Sequence, residues 1–187
     1  MANEDLLARW DENWLSCQPY GPVLRQVYPD RWVRFHTLPG SKRYPDTVDE
    51  LATILGRYNA ILDELFCGQD VFVVSPDWSD EPPAPSRPAE HEAWHPGARY
   101  WTSVDLESGS QWHMYVSTVH WTPGCLDPLL DAAADDKTAG VLIMDATMRR
   151  VCHPYDGGID VLLVDLAEVD PVRSRFTDWL SPNASGL

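Results

Sequence analysis

The sequence predicts an α+β domain: a mainly antiparallel or mixed sheet, with a C-terminal three-strand meander, covered by about four helices. Three observations carry this expectation. Residues 140–166, GVLIMDATMRRVCHPYDGGIDVLLVDL, hold short apolar runs at Val141–Met144 and Val161–Val164, bounded by turn residues at Asp145-Ala146-Thr147 and Tyr155-Asp156-Gly157-Gly158. Such runs suit strands buried on both faces. A second pair of strand patterns, Arg99–Leu106 and Gln111–Trp121, reads as a hairpin through Glu107-Ser108-Gly109-Ser110. The third is a long amphipathic helix between Thr47 and Gly68. Strands that cluster in hairpins, with helices set apart, make an α+β layout rather than a doubly wound one.

In chain order, residues 3–16 are predicted to be helical, with Asn3 as cap, Glu4 and Asp5 in the first turn, and Leu6, Trp10 and Trp14 at helical spacing. Residues 1–22 then read as a helical appendage closed by Pro19, Gly21 and Pro22. Arg31–Leu38 alternates as a strand, with Val33 and Phe35 on one face and Trp32, Arg34 and His36 on the other. The long helix opens on Thr47-Val48-Asp49-Glu50, which has the form of a capping box, and closes at Gly68. Its apolar stripe is Val48, Leu51, Leu55, Tyr58, Leu62 and Leu65, widened by Ile54 and Ile61. Asp70–Ser75 is a strand. Residues 76–98, with Pro76, Pro82, Pro83, Pro85, Pro88 and Pro96, read as a Pro-rich irregular loop. Asp127-Pro128 and Asp170-Pro171 each start a helix; in the second, Val172, Phe176, Trp179 and Leu180 can cover a sheet face.

At 187 residues, 44% of them hydrophobic, the chain has ample material for one core. The N-terminal residues MANEDLLARW carry acids and no long apolar run, so no signal peptide is expected, and no stretch approaches a membrane span. Cys17, Cys67, Cys125 and Cys152 are scattered without a CxxC pair and read as reduced, mostly buried thiols; a cytoplasmic location is expected. The sequon-like Asn183-Ala184-Ser185 carries no meaning there. A net charge of −15 argues against nucleic-acid binding through phosphate neutralisation and is compatible with a basic protein partner.

Three constellations bear on chemistry. His91-Glu92-Ala93-Trp94-His95 fits H-E-x-x-H, in which two histidines on one helix face hold zinc and the glutamate polarises a bound water. Pro88 and Pro96 fence it to a short segment, and His113, His120 and Asp105 are the candidates to complete it. Second, Arg25–Arg43 holds five basic side chains (Arg25, Arg31, Arg34, Lys42, Arg43) against one acid, Asp30, a local balance of +4. Lys42 and Arg43 precede the long helix, so a phosphate or carboxylate could bind there, oriented by Arg34 and Tyr44. Asp46, Asp49 and Glu50 compete for the same position. Third, His153, Tyr155 and Asp156 can gather on a ligand near the meander turn, or Asp156-Gly157-Gly158 can simply supply turn geometry.

The blocks Arg34–Pro45 (RFHTLPGSKRYP), His153–Val161 (HPYDGGIDV) and Asp178–Ser181 (DWLS) resemble an uncharacterised family of small acidic bacterial proteins. The resemblance implies one bacterial domain and transfers no catalytic residue. Twelve arginines against two lysines fit a GC-rich coding bias.

With no complete catalytic set, the leading expectation is a non-enzymatic acidic binding protein without a cofactor, such as an immunity-type inhibitor or adaptor docking a basic partner. The alternatives are a zinc-dependent hydrolase at His91, Glu92 and His95, or a small-anion or phosphometabolite binder at Arg34, Lys42, Arg43 and Tyr44.

Overall fold

Among the described residues seven strands form one sheet: β1 (Trp32–His36), β2 (Asp70–Trp78), β3 (Arg99–Asp105), β4 (Gln111–His120), β5 (Leu142–Asp145), β6 (Arg150–Tyr155) and β7 (Gly158–Leu163). All pairings are antiparallel, in the order β1-β7-β6-β5-β2-β4-β3. The structure, a computed structural model, describes residues 3–78, 87–105 and 111–181. Pro82, Pro83 and Pro85, the predicted Glu107–Ser110 turn and the Asn183–Ser185 sequon lie outside the described residues. The α+β class and the β5–β7 meander are as expected, and β1 shows the predicted alternation, with Val33 and Phe35 buried.

Six α-helices cover the sheet among the described residues. α3 (Val48–Phe66), α5 (Asp127–Ala134) and α6 (Val169–Arg175) pack on one face, over a core that includes Phe35, Ile143 and Val161. α1 (Asn3–Asn13) and α2 (Gly21–Val27) pack on the other, over Val74, Leu142 and Leu162. α4 (Ala89–Trp94) is a short turn before β3. Among the described residues no helix is long and apolar enough to cross a membrane.

The N-terminal segment is no appendage. Leu6, Trp10 and Trp14 are fully buried, and each large apolar side chain removed from water contributes about 1.5–3 kcal/mol. Both indoles also find the partner that burial demands: Trp10 Nε1–H donates to Cys17 O (2.6 Å) and Trp14 Nε1–H to Met148 O (2.8 Å). The stop expected at Pro19–Pro22 is instead the start of α2, because a proline in the first helical turn sacrifices only an N–H that has no intrahelical acceptor.

Three further expectations are revised. β2 runs past Ser75 to Trp78, and Pro76 is tolerated because the β5 ladder has already ended at Val74. The segment 76–98 is therefore part strand and part helix. In α3, Thr47 Oγ1 accepts from Glu50 N (3.2 Å) and Gly68 takes φ +70°, as the sequence suggests, but Val48 is exposed and the buried stripe is Ile54, Tyr58, Ile61, Leu62, Leu65 and Phe66. Only two of the four thiols, Cys17 and Cys152, are buried; Cys67 and Cys125 are exposed.

Candidate ligand site under helix α2

The site grows from one charge in an apolar strand. Every residue of β7 is buried, Asp160 included at 1% exposure, and a carboxylate there must be paired. The antiparallel register places Arg34 of β1 and His153 of β6 directly opposite it, on its two sides. The period of two turns all three toward α2. Arg34 Nε–H donates to Asp160 Oδ1 (2.9 Å), Arg25 Nη1–H from α2 donates to Oδ2 (3.4 Å), and Tyr155 Oη–H donates to Oδ1 (3.3 Å). Two guanidiniums therefore share one carboxylate, leaving an excess positive charge at the floor.

Aromatic rings fix those guanidiniums in place. Arg34 lies between Trp32 (5.2 Å to the centroid) and Tyr155 (5.3 Å), and Arg25 lies over Trp32 at 5.6 Å. Burial opposes the charge on Arg34, but the hydrogen bond and charge of Asp160 outweigh it and hold its pKa above the ordinary value. Tyr155 can lie this low because Gly158 has no side chain; a Cβ there would fall 2.6 Å from Tyr155 Oη. Burial raises the pKa of the Tyr155 phenol, so it stays a donor.

His153 forms the next part of the wall. Its ring packs on the first residue of α2, where a Cβ added to Gly21 would stand 2.1 Å from His153 Cδ2. Nδ1 lies 2.9 Å from Val141 O, and since a carbonyl only accepts, Nδ1 carries the proton. Burial lowers the His153 pKa, so the ring is neutral and Nε2 is an acceptor. Among the described residues nothing donates to that nitrogen. The cavity is closed by Tyr20 against Trp112 (5.3 Å, edge to face) and by the 136–140 loop with Asp136 and Thr138, and it measures about 200 Å³.

The predicted ligand residues divide three ways. Arg34, His153, Tyr155 and Asp156 all line this cavity. Arg43 and Tyr44 reach only its rim, where both engage Asp156, Arg43 by an ion pair and Tyr44 by a hydrogen bond. Lys42 is elsewhere: it binds Glu50 (2.6 Å) and Asp46 (2.7 Å), the competing acids of the helix start. Sequence reasoning missed Asp160, Arg25, Tyr20 and Trp112 as site residues. A lone aspartate inside Ile159-Asp160-Val161-Leu162-Leu163 was the available signal, because a charge in a buried strand demands cationic partners.

The H-E-x-x-H segment lies on the opposite side of the sheet, and its side chains are committed. His95, 2% exposed, has Nδ1 2.7 Å from Ser75 Oγ and Nε2 2.7 Å from Ser117 Oγ. Arg87 donates to Ser75 Oγ (2.9 Å) and clasps Asp77 through Nε and Nη2 (3.2 and 3.0 Å). His91 Nδ1 pairs with the same Asp77, and Glu92 accepts from Gly97 N (2.7 Å). Burial first, and then the Arg87 charge, push the His95 pKa down to about 3. His113 and His120 bind Ser103 and Asp70 instead of joining this cluster. Among the described residues no three His, Cys, Asp or Glu side chains are grouped to hold a metal, and zinc at His95 would first have to displace a serine.

No curated protein and no solved structure matches the chain. One sequence family does, over residues 20–184, a span that opens on Tyr20 of the cavity wall and takes in every residue of the site. The chain belongs to that family, described as Domain of unknown function (DUF3885).

Proposed function

We propose that this protein binds a small molecule through an anionic group seated at Arg25 and Arg34. The observation that carries the reading is the stoichiometry at Asp160: two buried or half-buried guanidiniums for one carboxylate, at the floor of a cavity of about 200 Å³. Arg25 spends a single N–H on Asp160, at 3.4 Å, which leaves donors for a carboxylate or a phosphate oxygen. The pocket is concave, with Tyr20, Trp112 and Tyr155 among its walls and charged groups converging on it, and a concave site with convergent polar groups is where a small molecule is expected to bind. The test is a thermal-shift and calorimetric screen of small carboxylates and phosphate esters. A ligand at about 100 times its Kd should add about 2.7 kcal/mol of stability. Arg25→Ala should abolish that gain; a gain that survives in Arg25→Ala, or no stabilisation by any anion, rejects the reading.

A second reading, docking of a basic protein partner, draws on the way the basic segment turns inward. Arg25 and Arg34 serve Asp160, Lys42 serves Asp46 and Glu50, and Arg43 serves Asp156. The net charge of −15 is therefore carried by acids elsewhere on the chain. Pull-down with a basic partner that weakens steeply between low and high salt supports this reading, and capture indifferent to salt removes it.

A further inference from the structure

The cavity lining carries both signs of charge, and the inference drawn from this rests on the anion reading and deepens it. At the floor, two guanidiniums outnumber one carboxylate. The same lining holds two further carboxylates. Asp156 is paired with Arg43, while Asp136, on an exposed stretch of the 136–140 loop, has no ion-pair partner among the described residues. His153, 6% exposed, also lines the cavity; its Nδ1–H is held by Val141 O, so its Nε2 can only accept. An anion alone would satisfy the floor and leave the acceptor Nε2 without a donor. A second cation alone would face the guanidiniums.

We infer that the ligand is a zwitterion of amino-acid size, with its carboxylate on Arg25 and Arg34 and its ammonium donating toward His153 Nε2 and Asp136. A cavity of about 200 Å³ has room for a small molecule rather than a single ion or water. The aromatic pair Tyr20–Trp112 gives an apolar side chain a wall to pack on. An acceptor that faces the cavity without a donor discriminates against analogues that lack the N–H, in the way that sites built to hydrogen-bond a group reject its deletion.

The full chain is titrated calorimetrically with a set of free amino acids and, for each, three relatives: the deaminated acid, the N-acetyl acid and the amino-acid carboxamide. The free amino acid is expected to bind at least about tenfold more tightly than any of the three, the worth of one hydrogen bond to a charged group. Asp136→Asn should weaken the free amino acid and leave the deaminated acid unchanged. If deaminated and free acids bind alike and Asp136→Asn changes neither, the zwitterion is wrong while the anion reading stands. If the carboxamide binds as tightly as the free acid, and Arg25→Ala leaves that binding intact, the anion reading falls with it. If neither amino acids nor the deaminated acids bind, the zwitterion is overturned, and the anion reading falls too when inorganic phosphate and phosphate esters also fail to bind. Dipeptides distinguish the source: a free N-terminus followed by a peptide bond lacks the adjacent carboxylate and should bind no better than the carboxamide.

Discussion

Two buried polar networks flank the sheet, one beneath α2 and one beneath α4, and they differ in what they leave over. Around His95 the polar groups are consumed within the protein: two serines take both ring nitrogens, and Arg87 clasps Asp77 while bridging to Ser75. Around Asp160 the accounts do not close. Arg25 keeps donors, His153 keeps an acceptor, and both face a cavity. A closed network holds the chain together; an open one keeps the groups that the proposed ligand would need. The motif that looked catalytic belongs to the closed network, and the site that looks functional has no motif at all.

Substitutions should separate the two. The largest effect is expected from Arg87→Ala, whose side chain is 3% exposed and whose loss leaves the largely buried Asp77 to His91. Breaking a buried pair from one side costs about 3–5 kcal/mol, read as a lower urea midpoint, while ligand binding under α2 should survive in the folded fraction. Equal loss of binding would show that the networks are coupled and the contrast false. Gly21→Ala comes next. The new Cβ collides with the His153 ring, so α2 must lift, at about 1–3 kcal/mol, and affinity should fall with stability; unchanged binding would show that His153 takes no part in the site.

The pH response sharpens the same contrast. His95 is held neutral in the folded protein, with its pKa pushed from 6.5 to about 3, so below pH 6.5 the unfolded chain takes up a proton that the native state refuses. Stability should therefore fall as pH drops from 6.5 toward 3, by up to about 1.4 kcal/mol per unit from this one group. Urea midpoints at pH 7 and pH 5 should show the fall, and His95→Asn should flatten it. The smallest effect on stability belongs to Arg25→Ala. Its ion pair is partly exposed and long at 3.4 Å, so it should cost under about 1 kcal/mol while abolishing binding. Little damage to the fold and a full loss at the site is the opposite of the Arg87 result.

Much of the fold was legible because it is local. The β5–β7 meander, the alternation of β1 and the capped start of α3 all follow from patterns a few residues long. α2 was missed because the same Gly21-Pro22 pair that breaks a chain also suits a helix entrance. At the site, Arg34, His153, Tyr155 and Asp156 were within reach as polar residues flanking a turn. The roles of Arg25 and Asp160 depend on which strands become neighbours, and periodicity does not encode that. Lys42 stands apart from the cavity because Glu50, eight residues on, and Asp46 hold its ammonium.

The floor of the site also fixes when in folding it can appear. Arg34 and Asp160 stand 126 residues apart in the chain, yet they are cross-strand neighbours because β7 returns to pair with β1. Contacts of such separation must repay a large loop-closure entropy and form late. During synthesis β1 is made early and has no strand neighbour until β7 emerges. Binding at the proposed site would therefore report that β7 has paired with β1. A nascent chain stopped short of β7 would hold Arg34 and no receptor for it.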